Sequence, residues 1–503
     1  MRSSIMSASA LLIVGTFFSK ILGFYREILF AHKFGANVIS DAFLLTNNIP
    51  NVLFSAFAVA INMNFIPLFI GIEGREGKNR FTSNLFNICL VFTLVGCLLV
   101  NLFPRQLLGL FVSSLSEETL RYAVVMLRIV SVSIVPVILQ RLFQAYSQAS
   151  GYFFSTAALG CVTNAALIAT YLVATEETFY FLSLGVVLSQ AAAMMLLFCN
   201  ARKAGFRYSF VLDFKDSWAR KLLLLTIPLM LGKFAEDASL LVDQNLAAGI
   251  GTGVISGLSY ASLLAKAIGS IVIGSVTTAA FPTFSQLATE GQKEKFVTVF
   301  QKYFGALCYT LCPISVFMVL FADDIVVAVL QHGALKASAT QMIWEATACY
   351  AVGLLPLGVQ NYMVRGFYSF RDTKTPTYIV VFSLLINIFL SVWSAPYWGH
   401  IGITCATSVS YFIAGILLMY VFSRKYGMPI FTSLHKDILS YLLMAAMPAV
   451  TVYWLFRVFC FTDSVVVRAI LESSLFFLSY SVLFFATHQE MRQHMISWIG
   501  KHL

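Results

Sequence analysis

Charge is what this chain has least of. Asp, Glu, Lys and Arg make up 11% of its 503 residues, against 59% hydrophobic ones, and the mean hydropathy is +0.82. A water-soluble globular surface cannot be assembled from that balance, so soluble classes are excluded. Metal and redox motifs are missing as well. The nine cysteines form no CxxC pair and read as small packing residues in or beside apolar runs. Cys308 and Cys312 share a helix face, which suits a core better than a metal site. None of the seven histidines is paired at HxxxH or HExxH spacing. The nearest approach to a phosphate-binding Walker loop, Gly74-Arg75-Glu76-Gly77-Lys78-Asn79, has the wrong glycine spacing and no Ser or Thr after the Lys. The connections are too short for an ATPase domain. The expectation is no enzyme, no catalytic residue, no metal and no cofactor, with transport driven by an ion gradient, the membrane potential or the substrate gradient.

What the chain does have is apolar runs of spanning length. At about 1.5 Å per residue, a bilayer crossing needs roughly 20 mainly apolar residues. Fourteen such runs are legible, near 5–33, 38–70, 82–104, 120–149, 153–174, 178–200, 221–249, 253–288, 298–322, 338–369, 376–396, 399–423, 438–458 and 465–487. The first carries charges where a signal peptide needs an uninterrupted core, and is expected to be retained. The net charge of +10 is topology information rather than a sign of nucleic acid. Alternate connections hold most of the Lys and Arg, among them Arg75, Lys78, Arg80, Arg202, Lys203, Arg207, Lys293, Lys295, Arg424 and Lys425. The positive-inside rule then places both termini and these loops in the cytoplasm. Stretches at 106–113 and 325–335 read as short interfacial helices after spans three and nine.

The chain repeats itself. Val38-Ile39-Ser40 leads to Pro67, a basic Gly-containing loop and Phe81; Val254-Ile255-Ser256 leads to Pro282, a similar loop and Phe296. Further on, Pro136, Gln140 and Tyr146 answer Pro356, Gln360 and Tyr368, and Asn164 answers Asn387. Each unit holds six spans, an even number, so the two share one orientation, as in transporters built from parallel repeats. The expected domains are a first repeat at 1–218, a second at 219–424, and two additional transmembrane helices with a cytoplasmic tail at 425–503.

A charge at the centre of a membrane helix costs roughly 2.5–3.5 kcal/mol on insertion scales. Those that persist therefore mark a polar cavity or a paired network. Span one carries Lys20, Arg26 and Glu27; span two carries Asp41, Asn47, Asn48 and Asn51 around Pro50, which is expected to bend or loosen the helix. Span seven contributes Lys233, Glu236, Asp237 and Asp243, and Lys266 stands alone in span eight. The competing structural account is simple neutralisation, pairing Lys20 with Glu27, Arg26 with Asp41, and Lys233 with Glu236 or Asp237. Lys20, Arg26, Asp41, Asn48, Asn51, Lys233 and Lys266 are the candidate substrate ligands. Glu236, Asp237 and Asp243 are the candidates for a coupling cation, Na⁺ or H⁺. Arg365, Arg371 and Lys374 flank the cytoplasmic mouth, where an ordinary positive-inside loop is the alternative.

The segment Ser19-Lys20-Ile21-Leu22-Gly23-Phe24-Tyr25-Arg26-Glu27, with Phe34-Gly35-Ala36, Ser40-Asp41-Ala42-Phe43 and Ile49-Pro50-Asn51, resembles the MurJ/MviN family of lipid II flippases, within the multidrug/oligosaccharidyl-lipid/polysaccharide exporter group. The likeness continues through Val242-Asp243, Ser259-Tyr260-Ala261, Phe281-Pro282, Gln331-His332-Gly333 and Arg365-Gly366-Phe367-Tyr368. The resemblance implies an all-α polytopic membrane protein of the bacterial inner membrane. Its helices would form two parallel six-helix repeats in a V-shaped bundle, plus two C-terminal helices that line a lipid-tail groove or simply face lipid. It implies alternating access carrying an undecaprenyl-diphosphate-linked saccharide to the outer leaflet, with Lys20 and Arg26 as leading diphosphate ligands.

Cell-wall synthesis enzymes are the implied protein partners, membrane lipids the surroundings, and a monomer the expected state. Where the family usually has further cations and a Glu-Gly pair, this chain has Phe54, Ser55, Val59, Ala60 and Leu263, with Lys266 one turn beyond the last. Three readings follow: a lipid II flippase or one for another surface-polymer precursor, an ion-coupled exporter of small amphipathic compounds, and a membrane scaffold.

Overall fold

The computed structural model describes residues 2–152, 154–428, 430–459, 462 and 464–487; side chains at 2–14, 51, 55–56, 59–60, 62–63, 154–157, 223, 225–236 and 430–437 lie outside the description. Among the described residues every element is an α-helix. In chain order they are α1 (Arg2–Phe34), α2 (Val38–Gly71), α3 (Arg75–Leu102), α4 (Pro104–Phe111), α5 (Glu117–Ser131), α6 (Ile134–Ala149), α7 (Phe154–Val173) and α8 (Tyr180–Lys203). There follow α9 (Ser217–Ile250), α10 (Val254–Thr289), α11 (Lys293–Leu320), α12 (Ala322–Leu330), α13 (Ala337–Val352), α14 (Leu354–Ser369), α15 (Lys374–Tyr426), α16 (Ile430–Val458) and α17 (Val465–Thr487).

The order repeats as the sequence predicts. A 28-residue helix followed by a short one of 8 (α3, α4) is answered by 28 and 9 (α11, α12), and the split pair α5–α6 by α13–α14. The short helices α4 and α12 overlap the stretches at 106–113 and 325–335 where short helices are expected. Among the described residues nine helical stretches are long and apolar enough to span, α5–α6 and α13–α14 each counting as one. α15 contains two predicted spans in one run, and α7, 20 residues long, has described side chains only from Ala158 to Val173. α1, α2 and α9 contain undescribed side chains. α2 stays helical through Pro50 and Pro67, so the ring and carbonyl strain does not end the helix.

Packing divides the chain after Ser256, into Met1–Ser256 and Gly257–Leu503. The repeat boundary expected at 219 is a different property: α9, expected to open the second repeat, packs along α2 in the first unit. In the first unit α1 lies against α7, α2 against α6, and α3 holds the connector between α8 and α9. Asn84 and Asp213 exchange backbone-to-amide hydrogen bonds of 2.9 and 2.7 Å, Asn87 donates to the Val211 carbonyl at 2.7 Å, and Tyr208 donates back to Asn87 at 2.9 Å.

The second unit is centred on an aromatic cluster of Phe284, Phe296, Phe300, Phe304, Tyr362, Phe367 and Phe422, all fully buried. The Tyr362 hydroxyl donates to the Phe300 carbonyl at 2.6 Å, which satisfies the one polar atom the cluster buries. Between lipid-facing helices, van der Waals packing of this kind replaces the hydrophobic drive available in water. α16 and α17 join through Phe317, Phe321, Val452, Phe456 and Phe476.

α15 is broken where its two predicted spans meet. Gly399 adopts φ 56°, ψ −132°, and exposed Trp393, Tyr397 and Trp398 gather beside it, as aromatic residues do at a membrane surface. A Cβ at Gly399 would touch nothing within 4 Å, so only the backbone conformation resists substitution. Gly399→Ala is expected to lower stability by about 1–3 kcal/mol, read as a reduced midpoint in thermal unfolding of the purified protein.

Candidate functional site

Span-one charges are organised by α7. Arg26 forms an ion pair with Glu27, their side chains 24% and 22% exposed, and its Nη1 donates to Asn164 Oδ1 at 2.9 Å. Asn164 Nδ2 donates in turn to the Ser19 carbonyl at 2.9 Å, so one amide both fixes the guanidinium and locks α7 to α1. Arg26 Nε is buried with no hydrogen-bond partner among the described residues, while Lys20, earlier on α1, is exposed. The expected Arg26–Asp41 pairing is corrected. Arg26 lies eight residues short of the α1 end at Phe34, about 12 Å along the axis, whereas Asp41 sits in the first turn of α2. Glu27 accordingly serves Arg26 rather than pairing with Lys20 as expected.

Asp41 does something else. It is 2% exposed, and its Oδ2 accepts from the Gly253 N–H at 2.5 Å. Its Oδ1 accepts from the Ser256 N–H and hydroxyl at 2.8 and 2.7 Å. These are the first orphan donors of α10, so Asp41 caps a helix other than its own. The carboxylate is committed to the α9–α10 turn. Gly253, with φ 86°, is required there: a Cβ would lie 2.8 Å from the Ala36 carbonyl oxygen. A cavity of about 190 Å³ opens beside this cap, lined by Asp41, Ser114, Ser116, Thr119 and Thr252 among others.

Asn48 is half-buried in α2, and Asn47 and Pro50 border a cavity of about 30 Å³ with Ser133 and Gln190, room for roughly one water. Asp237 and Asp243 are half-buried in α9. Asn245, two residues on from Asp243, accepts from the Ser113 N–H at 3.1 Å. Asn51, Lys233 and Glu236 fall where side chains lie outside the described residues.

In the second unit, Lys266 has an aromatic setting that its isolation in the sequence conceals. Its ammonium lies 5.0 Å from the Tyr350 ring centre and 5.9 Å from that of Tyr411, which stabilises a cation without neutralising it. At the mouth, Arg365 stacks over Phe281 at 5.6 Å, and Arg365, Arg371 and Lys374 are all exposed. Asp372 sits among them. Its carboxylate accepts from Lys425 Nζ at 2.7 Å and the Thr375 N–H at 3.1 Å. Partial burial opposes ionisation, but the bonds from Lys425 and Thr375 prevail and bring the carboxyl down to about 2.

Sequence reasoning missed Asn164 as the Arg26 positioner, although its repeat partner Asn387 had marked the position. Asn387 has taken another task, donating to Thr407 Oγ1 at 3.2 Å. The tyrosines around Lys266 carried no local signal, since they arrive from α13 and α15.

Two outcomes follow. Asp41→Ala leaves the Gly253 and Ser256 donors buried and unserved, at about 1–3 kcal/mol for each group, so thermal unfolding should show a large loss and Asp41→Asn a smaller one. Asp372 has a depressed folded pKa, so its contribution is complete above the ordinary carboxylate range and is lost as pH falls toward about 2. An acid titration of unfolding should lose that dependence in Asp372→Asn.

Comparison with known proteins places these residues in context. The family described as "Lipid II flippase MurJ" matches residues 30–471. A probable lipid II flippase MurJ of Rhizobium tropici is 25% identical over 425 residues, covering 81% of this chain and 79% of that protein. The Buchnera aphidicola subsp. Schizaphis graminum relative of the same description is 26% identical, with 82% of each chain covered. Among solved structures, a lipid II flippase MurJ in an inward closed conformation superposes with a TM-score of 0.84 at 24% identity, covering 96% of this chain and 99% of that one. An inward-facing multidrug resistance MATE transporter gives 0.65 at 12% identity, covering 83% and 96%.

Proposed function

Because the chain belongs to the lipid II flippase MurJ family, we propose that it moves a polyprenyl-diphosphate-linked saccharide, the lipid II class of cell-wall precursor, from the inner to the outer leaflet by alternating access. The observation that carries the reading is the built cation site on α1. Arg26 is oriented by Asn164 and paired with Glu27, with exposed Lys20 supplying an ammonium on the same helix. A diphosphate offers the anionic oxygens that a guanidinium binds in a fork and an ammonium binds as a point charge. Lys266, held over two tyrosine rings, supplies a further cation from α10. Arg365, Arg371 and Lys374 attract the anionic headgroup at the cytoplasmic face, the side on which both termini lie in this reading. Asp237 and Asp243 on α9 are the groups proposed to hold a coupling cation, Na⁺ or H⁺. The protein works as a monomer in the bacterial inner membrane, supplying cell-wall synthesis enzymes on the outer side, and carries out no covalent chemistry.

The test is flipping of a labelled polyprenyl-diphosphate saccharide in proteoliposomes, alongside complementation of a strain depleted of its lipid II flippase. Lys20→Ala and Arg26→Ala should each lower the rate by at least tenfold while the protein inserts and melts normally. Asn164→Ala should do the same more weakly, through misplacement of Arg26. Lys266→Arg should retain activity that Lys266→Ala loses. Normal flipping in both Lys20→Ala and Arg26→Ala would remove the diphosphate-clamp reading.

A further inference from the structure

The two appended helices meet the second repeat at a group of charges in which Asp324 and Glu472 are buried and Asp323, Arg457 and Arg468 are partly accessible. Asp323 and Asp324 open α12, Arg457 lies in the last turn of α16, and Arg468 and Glu472 stand one turn apart on α17. Arg457 pairs with Asp323 and, at 3.6 Å, with Asp324; Arg468 pairs with Asp324. Tyr453 covers the Arg457 guanidinium, 5.1 Å from its ring centre. Both Asp324 and Glu472 are 2% exposed.

The charges do not balance. Two guanidiniums face three carboxyl groups, so the fully ionised cluster would bury one uncompensated negative charge. The hydrogen bonds do not close either: Asp324 Oδ2, Glu472 Oε2 and Arg468 Nε are buried with no hydrogen-bond partner among the described residues. An unmatched ion in apolar surroundings is far costlier than a neutral carboxylic acid. Burial, and then the neighbouring Asp323 charge, push the Asp324 carboxyl up in spite of both arginines. One bound proton makes the cluster neutral and gives an orphaned oxygen its missing hydrogen.

We infer that Asp324 and Glu472 together hold one exchangeable proton, forming a proton-binding site where α16 and α17 dock on α12. The groups facing the pair are Asp323 from α12, Arg457 from α16 and Arg468 from α17. The proton belongs to the pair, because two nearby carboxyls in one site titrate as a unit. The site is separate from the α1 cations and stands whatever the cargo proves to be.

Infrared difference spectroscopy of the full-length protein in lipid nanodiscs, titrated from about pH 5 to 9 across the range where perturbed carboxyls ionise, reads the proton directly. The expected result is a protonated-carboxyl band that disappears as pH rises, is absent in Glu472→Gln, and is displaced in Asp324→Asn. Thermal unfolding gives a second measure: wild-type stability should fall as the proton leaves, and Glu472→Gln, which mimics the protonated form, should stay flat. The inference is overturned if no carboxyl band titrates, meaning that Glu472 is ionised and served by Arg468, or if the band persists unchanged in both variants. Should Asp324→Asn fail to fold, the wild-type and Glu472→Gln spectra alone decide.

Discussion

One carboxylate capping a helix that cannot cap itself organises the first unit. α2 begins with its own cap: Asn37 accepts from the Ile39 and Ser40 N–H groups at 3.0 Å each, and Ser40 answers it. In the duplicated copy the place of Asn37 is held by Gly253, which has no side chain to offer. Asp41, one residue beyond the repeated Val-Ile-Ser, supplies the missing acceptors. The two copies of one motif have thus become complementary, one capped by itself and the other by its twin. The repeated Val-Ile-Ser sets the matching positions, and the differences at two residues beside it account for the bonds between them.

The same logic of unsolvated charge runs through the rest of the molecule. Arg26 has Glu27 and Asn164, Lys33 donates to the last carbonyls of α7 at 2.9 and 2.6 Å, and Lys266 has two aromatic faces. These arrangements differ in what they leave available. A carboxylate partner cancels a cation locally, whereas an amide or a ring holds it in place and leaves its charge to act on something else. The residues proposed to meet an anionic lipid include those held in the second way.

Much of this was legible in the sequence because membrane helices announce themselves by length and hydropathy, and because a duplicated chain can be read against itself. The short interfacial helices, the break between spans eleven and twelve and the family resemblance all rested on such patterns. Side-chain partners were less legible. Arg26 and Asp41 seemed natural mates across a short turn, but the rise of the helix separates them. Asn164 and Tyr350 come from elements far away in the chain. Periodicity tells which face a residue occupies; it does not tell which helix arrives opposite.

The connector from α8 to α9 has a mechanical consequence. A basic, irregular segment between repeats would ordinarily serve as slack, lengthening or coiling to absorb movement. Here the asparagines of α3 fasten it at Val211 and Asp213, so it has little length to give. Any displacement of the lower end of α9 must therefore drag α3 along with it or break these amide bonds, which makes this connector a tether rather than a hinge.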